Sequence, residues 1–127
     1  MVKFIKWSKF SNKKYETDYS ISHFKADIGG GIAVFSRQND HTDSKIVLFS
    51  KSGKKKKEFG FKGNISDISV TNGHIYCISD NTAYILNKNG EILKTAQCGF
   101  GAEKFYVTGN YSIAVINDNT IEKIELK

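Results

Sequence analysis

The 127-residue sequence contains no proline, one tryptophan, one methionine and two cysteines. Without proline, turns fall to glycine, asparagine and aspartate, which tolerate positive φ and suit tight hairpins. The two cysteines, Cys77 and Cys98, are too few for a disulfide framework and too far apart for a CxxC. No histidine lies near enough to complete a zinc-finger pattern. Both are expected to be free thiols acting as small hydrophobes, Cys77 within the apolar run His74–Ile78. No apolar run approaches the roughly 18–20 residues of a membrane-spanning helix. The segment Met1–Trp7 alternates and carries lysines, so no signal peptide is expected. No window shows the i, i+3, i+4, i+7 stripe of a helix. There is no G-x-S-x-G, no P-loop and no G-x-G-x-x-G opening a helix; Gly29-Gly30-Gly31 falls between two apolar runs and reads as a turn. No catalytic, cofactor-binding or metal-ligating residues are therefore expected.

What is present is an ordinary globular composition, 39% hydrophobic and 25% charged, too apolar for a disordered chain. The net charge of +6 is unevenly placed. Residues 1–63 hold 14 Lys and Arg against 6 Asp and Glu, a balance of +8, while residues 64–127 hold 5 against 7, a balance of −2. A basic half of this kind can attract nucleic acid or an anionic membrane surface, and it also keeps strand edges soluble.

A repeat organises the chain. Lys45–Gly53 (KIVLFSKSG) aligns on Thr82–Gly90 (TAYILNKNG) at an offset of 37, and Val70–Gly73 aligns on Val107–Asn110 at the same offset. Ile75–Thr82 aligns on Ile113–Thr120 at 38, a one-residue slip in a turn. Upstream, Ile21–Phe24 aligns on Ile65–Ile68 at 44, the extra length falling in Arg37–Ser44. Turn dipeptides (Asn72-Gly73, Gly109-Asn110, Asp80-Asn81, Asp118-Asn119, Ser52-Gly53 and Asn89-Gly90) separate runs of five to seven residues rich in Ile, Val, Tyr and Phe. The unit is a four-stranded meander with strands A to D, and type I′ turns are expected where both central residues accept positive φ. The predicted order is C-D (residues 1–19), two full units (20–62 and 63–99) and an A-B-C unit (100–127).

The recurring phrase, an apolar strand, a Lys-x-Gly turn, a Lys-rich strand and then Ile-Ser-x-Ile or Val, is carried by Lys45–Ile68 and Thr82–Val107. It resembles the repeats of quinoprotein-type (PQQ-like) β-propellers and of related uncharacterised bacterial propeller domains. That resemblance implies an all-β fold of about three antiparallel propeller blades, partial or completed by oligomerisation, since propellers carry four to eight blades. It does not extend to the cofactor. Quinoprotein blades repeat a tryptophan, and here Trp7 stands alone. In a propeller the A strands line a central channel, so the matching positions His23, Asp67 and Lys104 form a candidate ligand site.

Two further features carry chemistry. Lys54-Lys55-Lys56-Lys57 is a basic patch, expected on a solvated outermost D strand. With no arginine cluster or interleaved exposed aromatics, nucleic acid is disfavoured as its partner. The segment Asn39-Asp40-His41-Thr42-Asp43 lacks the glycine and spaced acids of a calcium loop and is expected to be a solvated hairpin extension. The functional expectation is a non-enzymatic binding module, with a protein or small ligand unspecified and self-association completing the propeller. The alternatives are a fragment of a larger propeller enzyme and an anionic-surface binder.

Overall fold

The structure, a computed structural model, describes residues 2–5, 12–15, 20–27, 30–37, 40–99 and 101–127. Every regular element among them is a strand. They are β1 (Val2–Ile5), β2 (Asn12–Tyr15), β3 (Ser20–Asp27), β4 (Gly30–Arg37), β5 (Asp40–Ser50), β6 (Lys55–Lys62), β7 (Ile65–Thr71), β8 (His74–Ser79), β9 (Thr82–Leu86), β10 (Ile92–Gln97), β11 (Lys104–Gly109), β12 (Ser112–Ile116) and β13 (Ile121–Glu125). All pairings are antiparallel. The strands form a β1-β2 hairpin, two four-stranded meanders (β3 to β6 and β7 to β10) and a three-stranded meander (β11 to β13). This is the strand order expected from the repeat. The remaining parts of the two expected N-terminal strands, and Trp7 with them, lie outside the described residues.

The chain divides into two compact units, residues 1–62 and 63–127. Among the described residues of the first, the buried apolar side chains are Ile32, Ala33 and Val34 of β4, Ile46, Val47 and Phe49 of β5, and Phe61 of β6. In the second, one core joins two sheets. Tyr76, Ile78, Ala83 and Ile85 from β8 and β9 cluster with Phe105, Ile113, Val115 and Ile124 from β11 to β13. Ile75 and Cys77, the alternate residues of β8, are equally buried. Both faces of β8 are therefore covered, which is why it reads as a continuous apolar run.

Turn chemistry explains the breaks. Asn72 and Gly73 have φ of 52° and 77°, and Asp80 and Asn81 have 49° and 63°, the paired positive angles of type I′ hairpins. The turns after β5 and β9 are longer and alike. Gly53 N–H donates to Ser50 O, and Gly90 N–H donates to Asn87 O, each glycine having φ near 85° (84° and 87°). Two expectations need correction. Tyr111, not Gly109-Asn110, takes the left-handed angle (61°), because the one-residue slip appears as a bulge between Val107 and Gly109. At Asp118-Asn119 neither residue has positive φ; Asn117 closes that turn, its Oδ1 accepting from Thr120 N–H at 3.3 Å.

The extra length of the first meander is a longer hairpin. Ser36 pairs Ser44 and Arg37 pairs Asp40 across a register shift, so Asp40 to Asp43 are strand backbone. Residues 38 and 39 lie outside the described residues. Gly30 and Gly31 also differ from expectation, since they open β4 opposite Ser50 and Phe49; residues 28 and 29 are outside the described residues. Gly30 has φ of 140°, and a Cβ there would stand 2.4 Å from the Phe49 carbonyl oxygen. That approach excludes any other residue. Gly60, on β6, has open space instead. Gly30→Ala is expected to cost about 2 kcal/mol or more through overpacking and the strained angle. Gly60→Ala is expected to stay within about 0.5 kcal/mol. Urea unfolding of the two variants against the parent measures both.

Candidate functional site

The first strand of each four-stranded meander carries the same irregularity. Ile21 pairs Phe35 while His23 pairs Val34, and Ile65 pairs Ser79 while Asp67 pairs Ile78, so Ser22 and Ser66 are extra residues in classic-bulge-like positions. A bulge locally re-aims the residue that follows it. In both sheets that residue is one of the three sequence-selected positions.

Asp67 is only 7% exposed. Its Oδ1 accepts the Ile68 N–H at 3.0 Å, and its Oδ2 accepts the Phe105 N–H at 3.1 Å. The carboxylate thus spans β7 and β11, edge strands of two different sheets. Burial of an acid requires such charge-assisted donors. Lys104 adjoins Phe105 but is exposed on the opposite side of β11. His23 is half-buried on β3 of the first unit, its Nδ1 3.2 Å from Ser22 Oγ, which itself lies 3.2 Å from Val34 O. The structure brings Asp67 and the β11 backbone together. Its part at this position is fastening.

The basic patch is exposed throughout: Lys54, Lys55, Lys56 and Lys57 all face solvent, on or just before β6 at the outer edge of its sheet. This is where the D-strand reading puts it. Glu58, which sequence reasoning passed over, is ion-paired to Lys55 at 2.9 Å and to Lys45 of the neighbouring strand. Among the described residues Lys56 and Lys57 carry no ion pair, so the strand presents unneutralised positive charge. Along the same edge, Lys45, Glu58, Phe59, Phe61 and Lys62 line a shallow open groove.

A second cluster was not visible in the sequence. Tyr111, held left-handed at a turn, donates its N–H to Tyr76 Oη at 3.4 Å, and its carbonyl accepts the Leu126 N–H at 2.8 Å. Lys94 Nζ sits 4.7 Å above its ring and the His74 ring lies 5.8 Å away. The signal that could have found it is the 38-residue offset, since the inserted residue lands in this turn. Lys127 and Thr95 exchange two backbone hydrogen bonds nearby.

Both cysteines are free. Burial pushes the Cys77 thiol from 9.0 up to about 12. Burial also raises Cys98, with the Glu122 carboxylate adding to it and a hydrogen bond to the Ala83 backbone working the other way. Neither is a thiolate poised for nucleophilic chemistry.

The chain belongs to DUF5711, a family of unknown function whose model matches residues 6–126. No match was found among curated proteins.

Two predictions follow from this geometry. Asp67→Ala removes the acceptor for Phe105 N–H and is expected to lose about 1–3 kcal/mol of stability, whereas Lys104→Ala is expected to change it by less than about 0.5 kcal/mol; chemical denaturation of both variants checks the contrast. For Cys77 the folded state keeps a proton that the unfolded chain releases above 9.0. Stability is therefore full below that pH and falls as pH rises toward about 12. Unfolding curves on either side of pH 9 are expected to show a shallower alkaline loss in Cys77→Ala than in the parent.

Proposed function

We propose that this chain is a partial β-propeller of about three blades that works as a non-enzymatic binding module. The observation that carries the reading is the Asp67 carboxylate bridging β7 and β11. It holds the first strands of consecutive sheets beside each other, as blades meeting at a central channel require. It also occupies the acid best placed to act in that channel, leaving binding rather than catalysis to the surrounding surface. The repeated bulge at Ser22 and Ser66 and the shared turns after β5 and β9 add support, because they give consecutive sheets one internal plan. In this reading a protein or small ligand is recognised by the loops that connect the strands, since both oxygens of Asp67 are already engaged by backbone donors.

An experimental structure tests the scaffold. The expected outcome is β3, β7 and β11 running side by side around one axis; first strands that diverge from any common axis reject the propeller.

The exposed run Lys54 to Lys57 supports a second reading, contact with an anionic surface through the outer edge of the first meander. Release of condensed counterions makes such binding strongly salt-dependent, with a slope of about 0.9 per neutralised phosphate on duplex DNA. Retention on heparin is expected to weaken, and its salt slope to flatten by about 2.7, when Lys54, Lys56 and Lys57 are replaced by glutamate. Unchanged retention in that variant rejects this second reading and leaves the first standing.

A further inference from the structure

The sheets of the second unit present equivalent faces in different circumstances. On β8 and β9, Tyr76, Ile78, Ala83 and Ile85 form the face that packs against the three-stranded sheet, and all are at most 3% exposed. The repeat offset of 38 places Ala114, Ile116, Ile121 and Lys123 at the same positions of β12 and β13. Cross-strand register puts them on one face, with Ile116 opposite Ile121 and Ala114 opposite both Lys123 and Tyr106. The apolar pattern survives there without the cover: Ile121 is 76% exposed and Tyr106 63%. Lys123, in the place of Ile85, can lay its stem along such a surface while its ammonium reaches water. An isoleucine and a tyrosine left in solvent forgo the stabilisation that burial of large apolar surface brings.

What covers the equivalent face of the preceding sheet is another sheet of the same repeat, led by Phe105 on its first strand. Phe105 is the counterpart of Ile68 and of Phe24, and the first two are buried while Phe24 is 42% exposed. Ile21, also on β3, is 39% exposed. One end of the chain thus displays an uncovered receiving face, and the other displays the kind of residue that fills such a face. Charge favours their meeting head to tail, since residues 1–63 carry +8 and residues 64–127 carry −2. Like ends would bring together charges of one sign.

We infer that the outer face of the β11-β12-β13 sheet, centred on Tyr106 and Ile121, is a docking surface for a second copy of this chain, which covers it with its β3 edge through Phe24 and Ile21. This rests on the propeller reading for its closure. Two copies, each with three large sheets, supply six, within the four to eight of closed propellers. A head-to-tail contact repeated about a two-fold axis closes as a pair, whereas one whose rotation does not close grows into an open filament.

Light scattering on the purified chain, at concentrations across the micromolar range, tests the inference. The expected mass is twice the 14.2 kDa of one chain and does not rise further with concentration. Ile121→Arg and Phe24→Arg are each expected to halve it, with Ile21→Arg as a second variant if Phe24→Arg loses its near-ultraviolet dichroism. Mixing the Ile121→Arg and Phe24→Arg chains restores one intact contact, so partial recovery of the double mass is expected in the mixture alone. A single-chain mass for the parent overturns the inference, as does a dimer indifferent to Ile121→Arg. A dimer broken by Ile121→Arg but not by Phe24→Arg or Ile21→Arg overturns it too, because the face then pairs with itself. Mass climbing with concentration overturns the closed pair. A single-chain parent whose first strands share one axis fails this inference only, while first strands that diverge fail the propeller reading beneath it.

Discussion

The Asp67 carboxylate ties the two sheets of the second unit together beside their shared apolar core. Edge strands expose backbone N–H groups that need acceptors, and β7 and β11 are both edges. One carboxylate satisfies a donor on each, at 3.0 and 3.1 Å. With β11 fixed there, Phe105 is carried into the cluster of Tyr76, Ile78, Ala83 and Ile85. At the far side of the same sheet, Lys127 and Thr95 exchange hydrogen bonds, and Leu126 is buried in the shared core. The β7 to β10 sheet is therefore fastened at both of its edges, and the apolar packing between fills the space that the two fastenings define.

Much of this was legible because the code is local. Asn72-Gly73 and Asp80-Asn81 announce their hairpins through the one property that matters, tolerance of positive φ. The change of offset from 37 to 38 was likewise a real insertion, seen as the bulge at Val107 and Gly109. Local composition misled where two environments share it. Asp118-Asn119 copies Asp80-Asn81 in sequence, yet Asn117 supplies an acceptor that closes its turn without left-handed residues. The glycine triplet looked like a turn because turns are the commonest use of glycine; Gly30 is instead required by the Phe49 carbonyl on the neighbouring strand.

The candidate site was harder to read, for a physical reason. The alignment marks His23, Asp67 and Lys104 as one position, but a position does not say what a side chain faces. Asp67 is defined by a backbone N–H that is 38 residues away and belongs to another sheet, and no property of Asp67's neighbours encodes that distance. Exposure of Lys54 to Lys57 was easier, since four consecutive lysines on a strand admit only an edge position. Glu58 and its two lysine partners needed the cross-strand register, which places Glu58 opposite Val47 and so within reach of Lys45.

The edges and the faces of these sheets have been treated differently, and the contrast bears on how the chain meets other molecules. Strand β6 ends its sheet with exposed lysines, and β13 ends its sheet with Glu122, Lys123 and Glu125, all exposed. Charged edges of this kind resist extension by a further hydrogen-bonded strand. The face beside β13 keeps Tyr106 and Ile121 uncovered, in the pattern by which the preceding sheet is covered. A blocked edge beside an open face would favour stacking sheet on sheet over strand addition in the proposed pairing, the kind of contact by which the two sheets of the second unit pack. In the proposed pairing the polar edge would serve specificity, by removing the competing mode in which identical strands zip together.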